Sequence, residues 1–137
     1  MTKRELNEHI ALRKELARVQ TMRASLRIAA EPGAQVLTGT PHAPGYADKL
    51  GNLAAEIADV TAELERIQAA VRRQEPEVTA FINQIQDNQT RIIFRLRVLH
   101  ALSWSAIAKA IGGKNTAHGI KNAYYRGLRK WCPPDTV

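Results

Sequence analysis

Between Asp48 and Gln74, leucine, isoleucine and valine return at alternating steps of three and four: Leu50, Leu53, Ile57, Val60, Leu64, Ile67 and Val71. This is the a/d spacing of a heptad seam, kept over three repeats, and it demands a helix whose apolar stripe meets another helix. At 1.5 Å per residue such a helix spans about 40 Å, so the seam cannot be covered by itself or by a short loop. Its partner is either residues 2–30, folded back antiparallel, or the same helix of a second subunit, which would make a homo-oligomer through 48–75. The pattern satisfies both. Pro76 removes one backbone donor and crowds the preceding turn, which predicts a kink or short break. Beyond it Val78, Ile82 and Ile85 continue the seam, with Phe81 beside them.

Upstream, Thr2-x-x-Glu5 has the form of a capping box and opens a helix that can run to Ala30. Leu12, Leu16, Val19, Leu26 and Ala30 share one stripe, with Leu6 and Ile10 beside it. Lys3, Arg4, Arg13, Lys14, Arg18, Arg23 and Arg27 occupy the other sides and read as a basic solvated face in preference to a second contact with DNA or polymerase. Residues 31–47, EPGAQVLTGTPHAPGYA, hold three prolines and three glycines and no helical period, which predicts a linker.

The segment 87–131, DNQTRIIFRLRVLHALSWSAIAKAIGGKNTAHGIKNAYYRGLRKW, divides into three short helices. Asp87 can accept the orphan amide hydrogens of a first helix that buries Ile92, Ile93, Leu96 and Leu99 and ends near His100. Ser103 is placed to cap a second helix, Trp104 to Ile111. Gly112 and Gly113 can take the positive backbone dihedral of a helix stop and sharp turn. A third helix follows from a cap at Asn115 or Thr116 to about Trp131, burying Ile120, Tyr124, Leu128 and Trp131 at steps of four, four and three.

The outer side of that third helix, with the turn before it, carries Lys114, Asn115, Thr116, His118, Lys121, Asn122, Tyr125, Arg126 and Arg129. Between Asn88 and Pro134 there are nine Lys or Arg and no Asp or Glu. An ordinary solvated face mixes signs, whereas a segment stripped of acids presents a one-sign field that a polyanion feels. Asn and Arg can bond base edges and Lys can sit on phosphate, so the expected partner is double-stranded DNA. Charge is partitioned along the chain at about +4 for residues 1–30, −5 for 31–87 and +8 for 88–137, within a net +7. That asymmetry suits a basic nucleic-acid-binding end joined to a more acidic, protein-facing middle.

Two stretches, RIIFRLRVLHALSWSAIAKAIGG and RGLRKW, resemble region 4 of bacterial sigma factors, and more nearly the small phage and prophage regulators built on it, the autolysin-regulator type of late transcription activator. Their patterns run R-x-x-L-x-L-R-Y-x-x-G-L-S-W-x-x-I-A-x-x-L-G and R-A-L-x-K-L. The resemblance implies a helix-turn-helix regulator of transcription that acts with RNA polymerase. This chain departs from the pattern in three places. Its turn GGKNTAHG is longer, Ala101 stands where the family often has glycine, and Ser105 and Ala106 stand where it often has acids. Two other functions fit a helical hairpin joined to a basic end: a phage terminase small subunit bound to a packaging site, and a coiled-coil interaction protein that binds no DNA.

Nothing signals catalysis or a cofactor. His9, His42, His100 and His118 are scattered, without acids or Cys132 at metal-ligand spacing. A nucleophile would need a base and an orienting group nearby, which the acid-free end does not supply. A single cysteine suits a reducing compartment, and no run approaches the apolar length of a membrane span, so the expectation is a cytoplasmic protein. The expected architecture is all-α. A helical hairpin occupies 1–86 with a linker at 31–47, the helix-turn-helix domain occupies 87–131, and 132–137 form a tail.

Overall fold

Every regular element is helical in the computed structural model, which describes residues 1–31 and 46–132. The elements are α1 (Lys3–Ala30), α2 (Tyr46–Asn83), α3 (Asn88–Phe94, continued by a wider π turn over Arg95–Leu99), α4 (Trp104–Ile111) and α5 (Ala117–Trp131). The all-α expectation holds, with no strand among the described residues. The expected linker at 31–47 lies, apart from its ends, outside the described residues, as does the tail beyond Cys132.

Helix starts follow the local chemistry. The hydroxyl of Thr2 accepts the amide of Glu5 at 3.2 Å. The carboxylate of Asp87 accepts from the Thr90 amide at 2.9 Å and its hydroxyl at 2.6 Å, and these bonds lower the Asp87 pKa. Ser103 Oγ accepts from Ala106 N at 3.1 Å, and Thr116 Oγ1 from Gly119 N at 3.0 Å. A side-chain cap of this kind stabilises a helix by about 1 kcal/mol. Gly112 and Gly113, at φ of 76° and 67°, make the turn between α4 and α5.

The chain forms two compact units. The terminal unit joins residues 1–14 to everything from 70 onward; the hairpin unit comprises 15–69. The reason lies in the core. Leu6 and Ile10 of α1 share a single apolar cluster with Val78 and Ile82 of α2, and with Ile93, Phe94, Val98, Ile107, Ile120, Tyr124 and Leu128 of the C-terminal helices. The foot of the hairpin and the three short helices thus bury one another. In the hairpin unit, Val19, Leu64 and Ile67 are buried, and the seam positions Leu50, Leu53, Ile57 and Val60 are half-buried. Within the terminal unit α1 meets α2 through His9 and Gln74, through Arg13 and Glu75, and through Leu6 and Ile10 against Val78 and Ile82.

Three expectations are corrected. On α1 the buried positions are Leu6, His9, Ile10 and Val19, while Leu12, Leu16, Leu26 and Ala30 are only half-buried. The inward line therefore runs through a histidine that hydropathy places outside. At Pro76 there is no break, because α2 continues to Asn83 and stops only there. The missing donor removes one bond from a ladder that the packed Val71, Val78 and Ile82 hold on either side. On α3, Ile92 is 46% exposed and Leu96 half-buried, while Phe94 and Val98 are fully enclosed. The buried pairs Ile93–Phe94 and Val98–Leu99 lie five residues apart, a step that a π turn brings onto one face and a regular helix does not.

His9 is the one buried polar residue of the described chain. Arg13 Nε donates to its Nε2 at 2.8 Å, and its Nδ1 lies 3.0 Å from Gln74 Oε1. With Nε2 accepting, Nδ1 carries the proton and donates to the amide oxygen, so the ring is neutral. Burial lowers the His9 pKa, more than the Gln74 bond raises it. Arg13 reaches Glu75 at 3.5 Å. Gln74 occupies the seam position between Val71 and Val78, so this pair marks the register of α1 against α2 in the terminal unit, in the way a buried polar pair specifies alignment in coiled coils.

Candidate nucleic-acid interface

Helix α5 is held by aromatic packing. Tyr124 lies 4.7 Å from Phe94 of α3 and 5.2 Å from Trp104 of α4, centroid to centroid, and Tyr125 lies 6.2 Å from Trp104. Spacings of 4.5–7 Å in tilted geometry are favourable for π systems. On the same side Gly127 meets α3 so closely that a Cβ there would stand 2.8 Å from Phe94 Cε1 and 3.0 Å from Thr90 Cγ2. Ile120, Tyr124, Gly127 and Leu128 form the buried side, and Trp131 is half-buried. With this side anchored, the opposite side of α5 is turned outward.

All nine residues expected at the interface are exposed: Lys114, Asn115, Thr116, His118, Lys121, Asn122, Tyr125, Arg126 and Arg129. They divide by what their side chains do. Asn115 Nδ2 donates to the Gly112 carbonyl at 2.8 Å and Thr116 caps α5, so both build the long turn. That turn places Ala117 and His118 at the front of α5. Asn122 Nδ2 donates to His118 Nε2 at 3.2 Å, one helical turn away, which holds the amide on the outer face. Lys121, Arg126 and Arg129 extend this face in both directions.

The nine cations of 88–132 are not equivalent. Arg91 Nη1 donates to the Ile85 carbonyl at 2.8 Å, and Arg95 Nη1 reaches Asn83 Oδ1 at 3.3 Å. The Arg97 guanidinium lies 4.0 Å from the Trp104 ring centroid and donates to the Leu102 carbonyl at 2.9 Å. These three, Arg95 among them exposed, tie the module together; Lys109, Lys114, Lys121, Arg126, Arg129 and Lys130 are exposed as well. Arg97 also supports the entry to α4, where Ala101 sits at φ 51° and Leu102 N bonds back to Leu96 O at 3.1 Å.

Sequence reasoning missed the neighbour of this face. The first turns of α1 lie beside the C-terminal half of α5, and a groove of about 830 Å³ runs between them. Lys3, Arg4, Asn7, Glu8 and Ala11 form one wall, and Tyr125, Leu128, Arg129 and Cys132 the other. Lys3 Nζ lies 5.9 Å from the Tyr125 ring centroid. Cys132 is a free, buried thiol whose pKa burial raises, as suits an inert packing residue. No local motif pairs residue 3 with residue 125; only the excess of cations at both ends of the chain hinted at it.

Among the described residues no group of His, Cys, Asp and Glu is arranged to hold a metal ion, and no helix is long and apolar enough to cross a membrane. No family model, curated protein or solved structure matches the chain.

Proposed function

We propose that this protein binds double-stranded DNA with sequence preference and regulates transcription, with α4 and α5 as its helix-turn-helix and α5 as the reading helix. What carries the reading is one juxtaposition. The outward side of an anchored α5 gathers His118, Lys121, Asn122, Tyr125, Arg126 and Arg129, in a segment with nine cations and no acid between Asn88 and Pro134. Lys121, Asn122, Tyr125 and Arg126 meet base edges, and Arg129 with the turn residue Lys114 meets phosphates. By its resemblance to sigma region 4 the protein is a phage- or prophage-type regulator that acts at a promoter together with RNA polymerase.

The test is selection of bound fragments from the sheared genome that encodes the chain, at physiological salt, followed by sequencing. Enrichment of one intergenic promoter segment supports the reading and supplies the operator. Enrichment beside packaging genes would turn the assignment to a terminase subunit, and no enrichment over bulk DNA would reject sequence-specific binding.

A further inference from the structure

We propose that the first turn of α1 belongs to the same DNA surface, with Lys3 and Arg4 binding the sugar–phosphate backbone alongside α5. This inference rests on the DNA reading above and adds an element remote in sequence from the helix-turn-helix. Three observations carry it. Lys3 and Arg4 share a groove with Tyr125 and Arg129, two residues of the outward face. The groove is lined by three cations, Lys3, Arg4 and Arg129, against one carboxylate, Glu8. Glu5, the other acid of this turn, instead lines a separate pocket with Glu77.

Both cations are available to a phosphate. Lys3 is exposed, and in water a cation 5.9 Å from the centroid of an exposed ring is weakly held. Arg4 meets Glu8 at 3.4 Å with side chains 78% and 58% exposed, a pair that a polyanion can displace because surface ion pairs contribute little. The turn that carries them is not a loose arm. Leu6 and Ile10 are buried in the common core, and His9 is bonded to Gln74. Cations set in place by a packed helix lose little freedom on binding, which favours them over a disordered basic tail.

The experiment compares salt dependence. Binding of a short mixed-sequence duplex is titrated over a salt series for the wild-type chain and for Lys3→Gln/Arg4→Gln. A charge-matched control, Arg23→Gln/Arg27→Gln, alters the same helix within the hairpin unit. Each phosphate contact adds about 0.9 to the slope of log K against log salt, so the terminal variant should lose about two units of slope and the control none. All four substituted positions lie outside the buried core, so thermal melting should be unchanged in both variants. A terminal variant with the wild-type slope, or a control that loses as much, would overturn the inference while leaving DNA binding intact. A wild-type chain without salt-dependent binding would instead remove the DNA reading and this inference with it.

Discussion

The terminal unit and the hairpin unit are made from the same two long helices, yet they bury them differently. In the terminal unit, α1 and α2 meet three further helices, and large side chains such as Leu6, Ile82, Ile85 and Phe94 are almost wholly enclosed. In the hairpin unit the same helices show Val19, Leu64 and Ile67 buried, while Ile28 is 60% and Met22 40% exposed. A heptad seam is thus necessary for pairing and insufficient for a core. Closing the core takes the third layer that α3 to α5 provide.

Truncation should expose the contrast most directly. Phe94→Ala should cost about 4 kcal/mol in urea unfolding, whereas Leu53→Ala, at a half-buried seam position, should cost about 1 kcal/mol. Equal costs would mean that the two units are equally packed. Next is Gly127→Ala, which drives a methyl group into Phe94 and Thr90 and should cost about 2 kcal/mol by overpacking. Gly51→Ala is its counterpart in the hairpin unit, with open space around the added atom, and should stabilise by about 0.5–1 kcal/mol through helix propensity.

A third measurement uses pH. The folded state holds His9 neutral with its pKa depressed below the ordinary 6.5, so below that value the unfolded chain binds the extra proton. Its contribution to stability is complete above pH 6.5 and is lost as pH falls toward the depressed folded value. Urea midpoints measured across this window should decline with falling pH in the wild-type chain. The decline should be shallower in His9→Gln, and an unchanged slope would show that other groups dominate. An effect as small as that at Gly51 is expected at Ala101, whose positive φ of 51° disfavours a Cβ. Ala101→Gly should stabilise by about 0.5–1 kcal/mol, the relief of a left-handed L-residue less the extra freedom of glycine when unfolded.

What was legible in the sequence was what depends on neighbours along the chain. Asp87, Ser103 and Thr116 cap their helices through bonds that span three residues. Gly112 and Gly113 could be placed for the same reason, as could the seam from Leu50 to Val71. Hidden features were those decided by remote partners. His9 is buried because Gln74 and Arg13 satisfy its ring, and Gly127 is glycine because Phe94 leaves it no room. The π turn over Arg95–Leu99 shifted the α3 face by a step that no regular helical period anticipates. At the candidate interface all nine expected residues are exposed, because amphipathic spacing on α5 and the turn before it are both local. The nearby Lys3 and Arg4 read as a solvated face because their place beside α5 depends on tertiary packing.

The shared core has a consequence for how the protein is made. Leu6 and Ile10 leave the ribosome long before Val78, Phe94 and Leu128, the residues they join in one cluster, have been synthesised. Contacts of such sequence separation are slow to form, because a long loop must close before any burial rewards it. Helices α3 to α5 therefore do not complete their packing as an independent late segment. They have to wait for, or recruit, a piece of chain made much earlier, so the order of synthesis runs against the order of packing.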